Sequence, residues 1–286
     1  MTLPYRRRKP PAAELAKPLP DPFALPHWTD AARAPGPWLM MLEARAPWEY
    51  AAMVAAAPWL NKLPVGDGHP VIVFPGLGAA DFSTVALRNF LRDRGYTAYP
   101  WKQGFNFGPR HGVLDTARAQ LQQLAKRHHE KVSLIGWSLG GVYARELAKE
   151  QPDHVRCVIT LGTPISGHPR ATNAWRLYEM VSGQSVHDPE LLAQLRSAPL
   201  CPTTSIYSKT DGVVAWQCSI NDPAPLAENI EVHASHVGMG MNPLALYAVA
   251  DRLAQDPAQW QRFDLRGARR WLYKVTHPLT TPRAAA

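Results

Sequence analysis

The chain predicts an α/β architecture: a mostly parallel central sheet with helices on both faces and a small helical cap. Two observations carry this. From Val65 onward, short runs rich in Val, Ile and Leu alternate with segments whose apolar residues recur at helical spacing. The short runs are also apolar throughout, as strands buried on both faces are, where half-exposed strands would alternate.

The elements follow in order. Residues 1–37 hold nine prolines and favour extended, helix-free backbone, a tail or a strap. Trp38–Leu60 is apolar and helical, and Pro47 and Pro58 predict its division into two short helices. Val71–Phe74 reads as a strand ending in Pro75-Gly76, Ser83–Arg94 as a helix stopped by Gly95, and Tyr96–Trp101 as a strand. Asp115–His129 is a helix with a polar face, Val132–Gly136 a strand, and Val142–Glu150 a helix closed by Pro152. Val155–Leu161, Thr203–Tyr207 and Asn229–His233 complete the strands, and Pro243–Ala254 is the last helix. Between Pro164 and Pro199 the rhythm lapses into two helical patches, Asn173–Val181 and Pro189–Arg196. This 165–199 insertion is expected as a cap or lid over the carboxyl edge of the sheet, where open α/β sheets bind ligands. The organisation predicted is an N-terminal extension over 1–63, a main domain over 64–263 and a basic tail over 264–286.

Charge and composition exclude several classes. The chain has 286 residues, 46% apolar and 19% charged, which excludes a disordered protein, and three cysteines exclude a disulfide scaffold. Arg6, Arg7, Arg8 and Lys9 at one end, and Arg266, Arg269, Arg270, Lys274 and Arg283 against Asp264 at the other, carry the whole net charge of +8. The stretch between is formally neutral, so no nucleic-acid partner is expected. Glu43, Arg45, Glu49 and Lys62 interrupt the most apolar stretch, Trp38–Leu63, and leave no membrane-spanning run. Arg6–Lys9 leads into Pro-rich sequence without an apolar leader core, so the expected compartment is the cytoplasm. Cys157 is then a core residue, and Cys201 and Cys218 are free thiols. Two readings of Trp38–Leu60 stand open: helices packed on the main domain, or a peripheral contact with a membrane or an apolar substrate surface.

Gly136-Trp137-Ser138-Leu139-Gly140 lies between a strand and a helix, the setting of a nucleophile elbow. Such a turn raises the Ser138 hydroxyl above the sheet, and small residues two before and two after make room for it. A serine needs a base, and the base an orienting carboxylate, in the order serine, acid, histidine. His236, in the loop after the last strand, is the expected base, ahead of His233 in the strand and of the solvated His128 and His129. Asp211, directly after a strand in an Asp-Gly turn, is the expected acid, with Asp222 and Asp188 behind it. Two backbone N–H groups must receive the oxyanion. Leu139 follows the nucleophile, and Leu77 stands in the glycine-flanked loop Phe74-Pro75-Gly76-Leu77-Gly78. That loop lacks the pattern of a nucleotide site. His233 and His236 lack further ligands at metal spacing, so neither metal nor cofactor is expected.

With Gly162-Thr163-Pro164, Tyr207–Val214 and Ser235–Gly238 added, these motifs resemble the α/β-hydrolase superfamily over roughly 64–255, and most of all bacterial esterases and lipases. The resemblance implies Ser138 as nucleophile, Asp211 as acid, His236 as base, and Leu77 with Leu139 as oxyanion donors. It departs from many lipases at Phe74-Pro75-Gly76, where they carry a His-Gly pair, and it does not reach residues 1–63. The activity implied is hydrolysis of carboxylic esters through an acyl-enzyme on Ser138. Thioester hydrolysis or acyl transfer on the same groups, and a non-catalytic binding module, are the alternatives. Trp137, Trp101, Phe105 and Phe107 either line an apolar acyl pocket or pack internally. The expected substrate is an uncharged apolar ester: a small molecule, a lipid or a polyester.

Overall fold

The computed structural model describes residues 32–166, 171–173 and 189–276. Most of the proline-rich extension, the helical patch Asn173–Val181 beyond its first residue, Asp188 and the end from 277 lie outside the described residues.

Seven strands form one sheet: β1 (Pro70–Phe74), β2 (Thr97–Pro100), β3 (Val132–Trp137), β4 (Val155–Leu161), β5 (Thr203–Tyr207), β6 (Ala227–Glu231) and β7 (Lys274–Val275). Their order is β2-β1-β3-β4-β5-β6-β7. The first six are parallel, and β7 pairs antiparallel with β6 through Ile230 with Val275 and Glu231 with Lys274. The segment expected as a basic tail thus supplies an edge strand, too short for its sequence to announce.

The helices are α1 (Pro37–Met41), α2 (Ala46–Leu60), α3 (Val85–Asp93), α4 (Val113–His128), α5 (Leu139–Glu150), α6 (Pro189–Arg196), α7 (Pro243–Leu253) and α8 (Arg269–Leu272). The period-two geometry of a strand sends successive side chains to opposite faces. Val71 and Val73 join Leu87, Leu91, Leu246 and Val249 under α3 and α7. Ile72 and Phe74 join Leu121, Leu124, Tyr143 and Leu147 under α4 and α5. Every residue of β1 is buried, which is why these strands read as unbroken apolar runs.

Three expectations change. The helix after Trp38 is not divided at Pro58: α2 runs through it to Leu60, and Pro47 stands in its first turn, where a missing N–H costs nothing. Burial of Ala46, Glu49 and Leu60, with Trp59 stacked on Tyr247 at 5.0 Å, holds α2 across the hydrogen bond that Pro58 removes. Helix α5 starts at Leu139, not Val142. Gly140 and Gly141 are poor helix formers that serve here for close contact: a Cβ on Gly140 would lie 2.4 Å from the Phe74 carbonyl oxygen. Finally, α6 docks on the flank of α5. The Arg145 guanidinium donates to the carbonyls of Leu195, Arg196 and Ser197, two turns along α5 from its start. Ile165 and Ser166 do reach the carboxyl edge, where their N–H groups donate to the Cys218 carbonyl. Cys157, Cys201 and Cys218 are free and buried. Among the described residues no helix is long and apolar enough to cross a membrane.

Candidate active site

Ser138 stands between the end of β3 and the start of α5 with φ 51° and ψ −125°, in the positive-φ region that non-glycine residues avoid. Such a conformation costs of order 1–3 kcal/mol and persists because its surroundings over-determine it. The Ser138 N–H donates to the Leu161 carbonyl at 2.8 Å. A Cβ on Gly136 would lie 2.2 Å from the Gly141 Cα, so strand and helix meet at contact distance on either side of the serine.

Asp211 and His236 come together from the loops after β5 and β6. Asp211 is buried and divides its oxygens. Oδ1 accepts the Val213 and Val214 N–H groups at 2.8 Å each, closing the turn, and Oδ2 meets His236 Nδ1 at 2.7 Å. One carboxylate thus both closes its turn and meets the imidazole. With a proton on Nδ1 facing the carboxylate, Nε2 is an acceptor. Among the described residues no hydrogen bond joins Nε2 to Ser138 Oγ. Burial alone would push the imidazole down. Asp211, by charge and hydrogen bond, and Glu43, by charge, outweigh it and hold His236 above its ordinary value. Gly162, at φ +55°, lies against the pair: a Cβ there would stand 3.0 Å from Asp211 Oδ2 and 3.1 Å from His236 Nδ1. The competitors lie elsewhere. His233 is exposed beyond the end of β6, which closes at Glu231, and Asp222 acts by charge on the buried Arg145. His128, expected in solvent, is half-buried and bonded to the Tyr99 hydroxyl at 2.8 Å.

The loop after β1 is clamped beside the serine. A Cβ on Gly76 would lie 3.2 Å from the Ser138 Cβ. Asn106, fully buried, holds this loop: Nδ2 donates to the Pro75 carbonyl, its backbone oxygen accepts the Gly78 N–H, and its N–H donates to the Ala79 carbonyl. Leu77 lies between these ties. Leu139 opens α5, where the first N–H groups have no acceptor within the helix.

The aromatic residues separate. Trp101 is 2% exposed, stacked on Tyr143 with its indole N–H on the Gly104 carbonyl, so it is core packing and not a pocket wall. Trp137 donates its indole N–H to the His236 carbonyl at 3.0 Å and so anchors the histidine loop. Phe105 is exposed, stacked on Phe107 at 5.8 Å and edge-on to Phe82 at 6.2 Å. Phe82 also borders an apolar groove of about 500 Å³ between α2 and α3, lined by Met53, Val54, Val85 and Phe90.

Sequence reading missed the residues of the N-terminal element that reach these loops. Glu43 accepts from the Gly212, His236 and Val237 N–H groups, and Glu49 from the Ser235 N–H and hydroxyl. In the sequence both glutamates only interrupt an apolar stretch.

Comparison with known proteins agrees with this architecture. No curated protein sequence matches. Aspergillus fumigatus lipase B superposes with a TM-score of 0.50 at 18% identity, over 70% of this chain, which spans 57% of that lipase. Bacillus licheniformis lipase BlEst2 in its mature form gives 0.52 at 16% identity, over 68% of this chain and 95% of the lipase. A structure of the metagenome-derived lipolytic enzymes LipS and LipT gives 0.51 at 15%, over 67% and 95%. At these identities the likeness is one of fold. The profile of the alpha/beta hydrolase family matches residues 71–284, from β1 to beyond β7, and the chain belongs to that family.

Proposed function

We propose that this family member is a serine carboxylic ester hydrolase with Ser138 as nucleophile, His236 as base and Asp211 as orienting acid. The observation that carries the reading is the buried Asp211–His236 pair at 2.7 Å, beside a serine held at φ 51° on a strand-to-helix turn.

His236 Nε2 takes the Ser138 proton as Oγ attacks the ester carbonyl. The Leu77 and Leu139 N–H groups receive the oxyanion, and the positive end of α5 favours the same charge. His236 then gives its proton to the departing alkoxide, leaving an acyl-enzyme on Ser138. Water attacks that ester, His236 removes the water proton, and its return to Ser138 releases the acid. Asp211 stays ionised and keeps Nε2 turned to the reaction. The exposed Phe82 and Phe105, in the segments that follow β1 and β2, support an uncharged substrate with an apolar acyl part, a class that includes lipids and polyesters. The lipases and lipolytic enzymes of like fold are in keeping with that chemistry.

The test is a panel of nitrophenyl esters of rising acyl length with wild type and Ser138→Ala. Wild type is expected to turn over the apolar esters and Ser138→Ala to lose roughly 10⁴–10⁶-fold in kcat. A variant that keeps its rate ends the assignment.

A further inference from the structure

The turn between α1 and α2, residues 42–45, ends at the two loops that carry Asp211 and His236. Glu43 Oε1 accepts the Gly212 N–H at 2.7 Å and the His236 N–H at 2.9 Å, and Oε2 accepts the Val237 N–H at 2.8 Å. One carboxylate therefore gathers three backbone donors from the acid loop and the base loop. Its neighbours brace the same loops. Arg45 donates to the Thr210 hydroxyl at 2.7 Å and carbonyl at 3.1 Å, and is paired with Glu49 at 3.2 Å. Glu49 holds Ser235 by its N–H at 2.7 Å and its hydroxyl at 2.8 Å. Packing is as close as the hydrogen bonding: a Cβ on Gly212 would lie 2.3 Å from the Leu39 carbonyl oxygen of α1.

Building on the triad proposed above, we infer that Glu43 is a positioning residue, which fixes Asp211 and His236 in register by binding the backbone of both loops. Both loops leave the carboxyl edge of the sheet, where the Thr210 hydroxyl donates to the Ala234 carbonyl and the Ala234 N–H to the Ser208 hydroxyl, and Glu43 adds ties at Gly212, His236 and Val237 themselves. Bonds to an ionised carboxylate are about twice as strong as neutral ones, and three on one side chain resist separation of the loops. The charged groups that face His236 are Asp211 from the loop after β5 and Glu43 from the 42–45 turn, with Glu49 and Arg45 one residue further out. The negative charge of Glu43 adds to that of Asp211 in favouring the imidazolium that forms as Ser138 loses its proton.

Glu43→Gln removes the charge and leaves one acceptor oxygen. With nitrophenyl butyrate it is expected to lose about 10–100-fold in kcat with KM within about twofold, the loss typical of displaced catalytic geometry. The His236 titration, read by NMR on the same protein, is expected to move to lower pH, and Glu43→Asp, which keeps the charge, to restore it while recovering part of kcat. Wild-type kcat with an unmoved titration overturns the proposal, as does a loss of kcat that tracks melting temperature alone. Should Glu43→Gln fail to fold, amide hydrogen exchange in wild type decides. Gly212, His236 and Val237 N–H groups are expected to be protected, and exchange as fast as in free loops overturns the inference. A wild type that cleaves no nitrophenyl ester sinks the esterase reading, whereas the His236 titration and amide exchange still decide this one.

Discussion

Gly162 shows how little room the Asp211–His236 pair has. Its φ of +55° already disfavours any side chain, and the space where a methyl would sit is bordered by Asp211 Oδ2 and His236 Nδ1. Gly162→Ala is therefore expected to cost about 1–2 kcal/mol in urea unfolding from the backbone alone. By wedging the pair it should also lower kcat roughly tenfold or more, with KM little changed, as displaced geometry does. Full activity in a stably folded Gly162→Ala would mean that the two loops yield easily. Asn106 is a comparable case: its three ties to the loop after β1 all come from a residue flanked by two aromatics that suggest a pocket.

Among the elements, the C-terminal segment is bound to the sheet by the β6–β7 pairing and, before it, by one carboxylate. Glu228 of β6 accepts from the Thr204 hydroxyl of β5 at 2.8 Å, from Arg252 of α7 at 3.0 Å and from the Phe263 N–H at 2.7 Å. Both charges of this pair are buried. Arg252 keeps Asp251 as a second partner, but the buried Thr204 hydroxyl and Phe263 N–H lose their acceptor, and Glu228→Ala is expected to lower unfolding stability by about 1–3 kcal/mol in urea titration. A loss below about 1 kcal/mol would place the pair with surface salt bridges instead. The same reasoning distinguishes α2, whose buried Glu49 has two partners in the histidine loop, from a helix free to lie on a membrane through its whole surface.

Across the whole molecule, the sheet carries a bonded Asp–His pair at each edge, Asp211–His236 at the carboxyl edge and Asp67–His69 at the amino edge. At the amino edge, His69 meets Asp67 at 2.5 Å and Ser133 at 2.8 Å. Ser133 is fully buried, so this chain ties the starts of β1 and β3 together and admits no substrate. The two histidines respond to pH with opposite sign. Burial holds His69 below its ordinary 6.5 despite Asp67, so its contribution to stability is present above 6.5 and is lost as pH falls through the folded value. His236 is held above 6.5, so its contribution is present below 6.5 and is lost as pH rises through the folded value. Urea midpoints measured from pH 5 to 8 should accordingly show a flatter acid-side loss in His69→Gln than in wild type, and a steeper one in His236→Gln. Parallel curves for all three proteins would contradict both assignments.

Local information was enough for the strands and for most helix limits, and it singled out Asp211 and His236, which the fold brings within 2.7 Å of each other. Burial on both faces writes continuous apolar runs, and the tight turn at Ser138 demands small residues at fixed spacing. A turn such as Asp211-Gly212 also leaves its mark within a few residues. Nothing local marks Glu43 or Glu49 as reaching loops 169 to 194 residues away, nor Asn106, nor a two-residue strand added by the C-terminal segment. These depend on which loops the folded sheet brings to the same edge. The fate of Pro58 is of the same kind, since packing of α2 against Tyr247 outweighs a missing hydrogen bond only when the rest of the chain is in place.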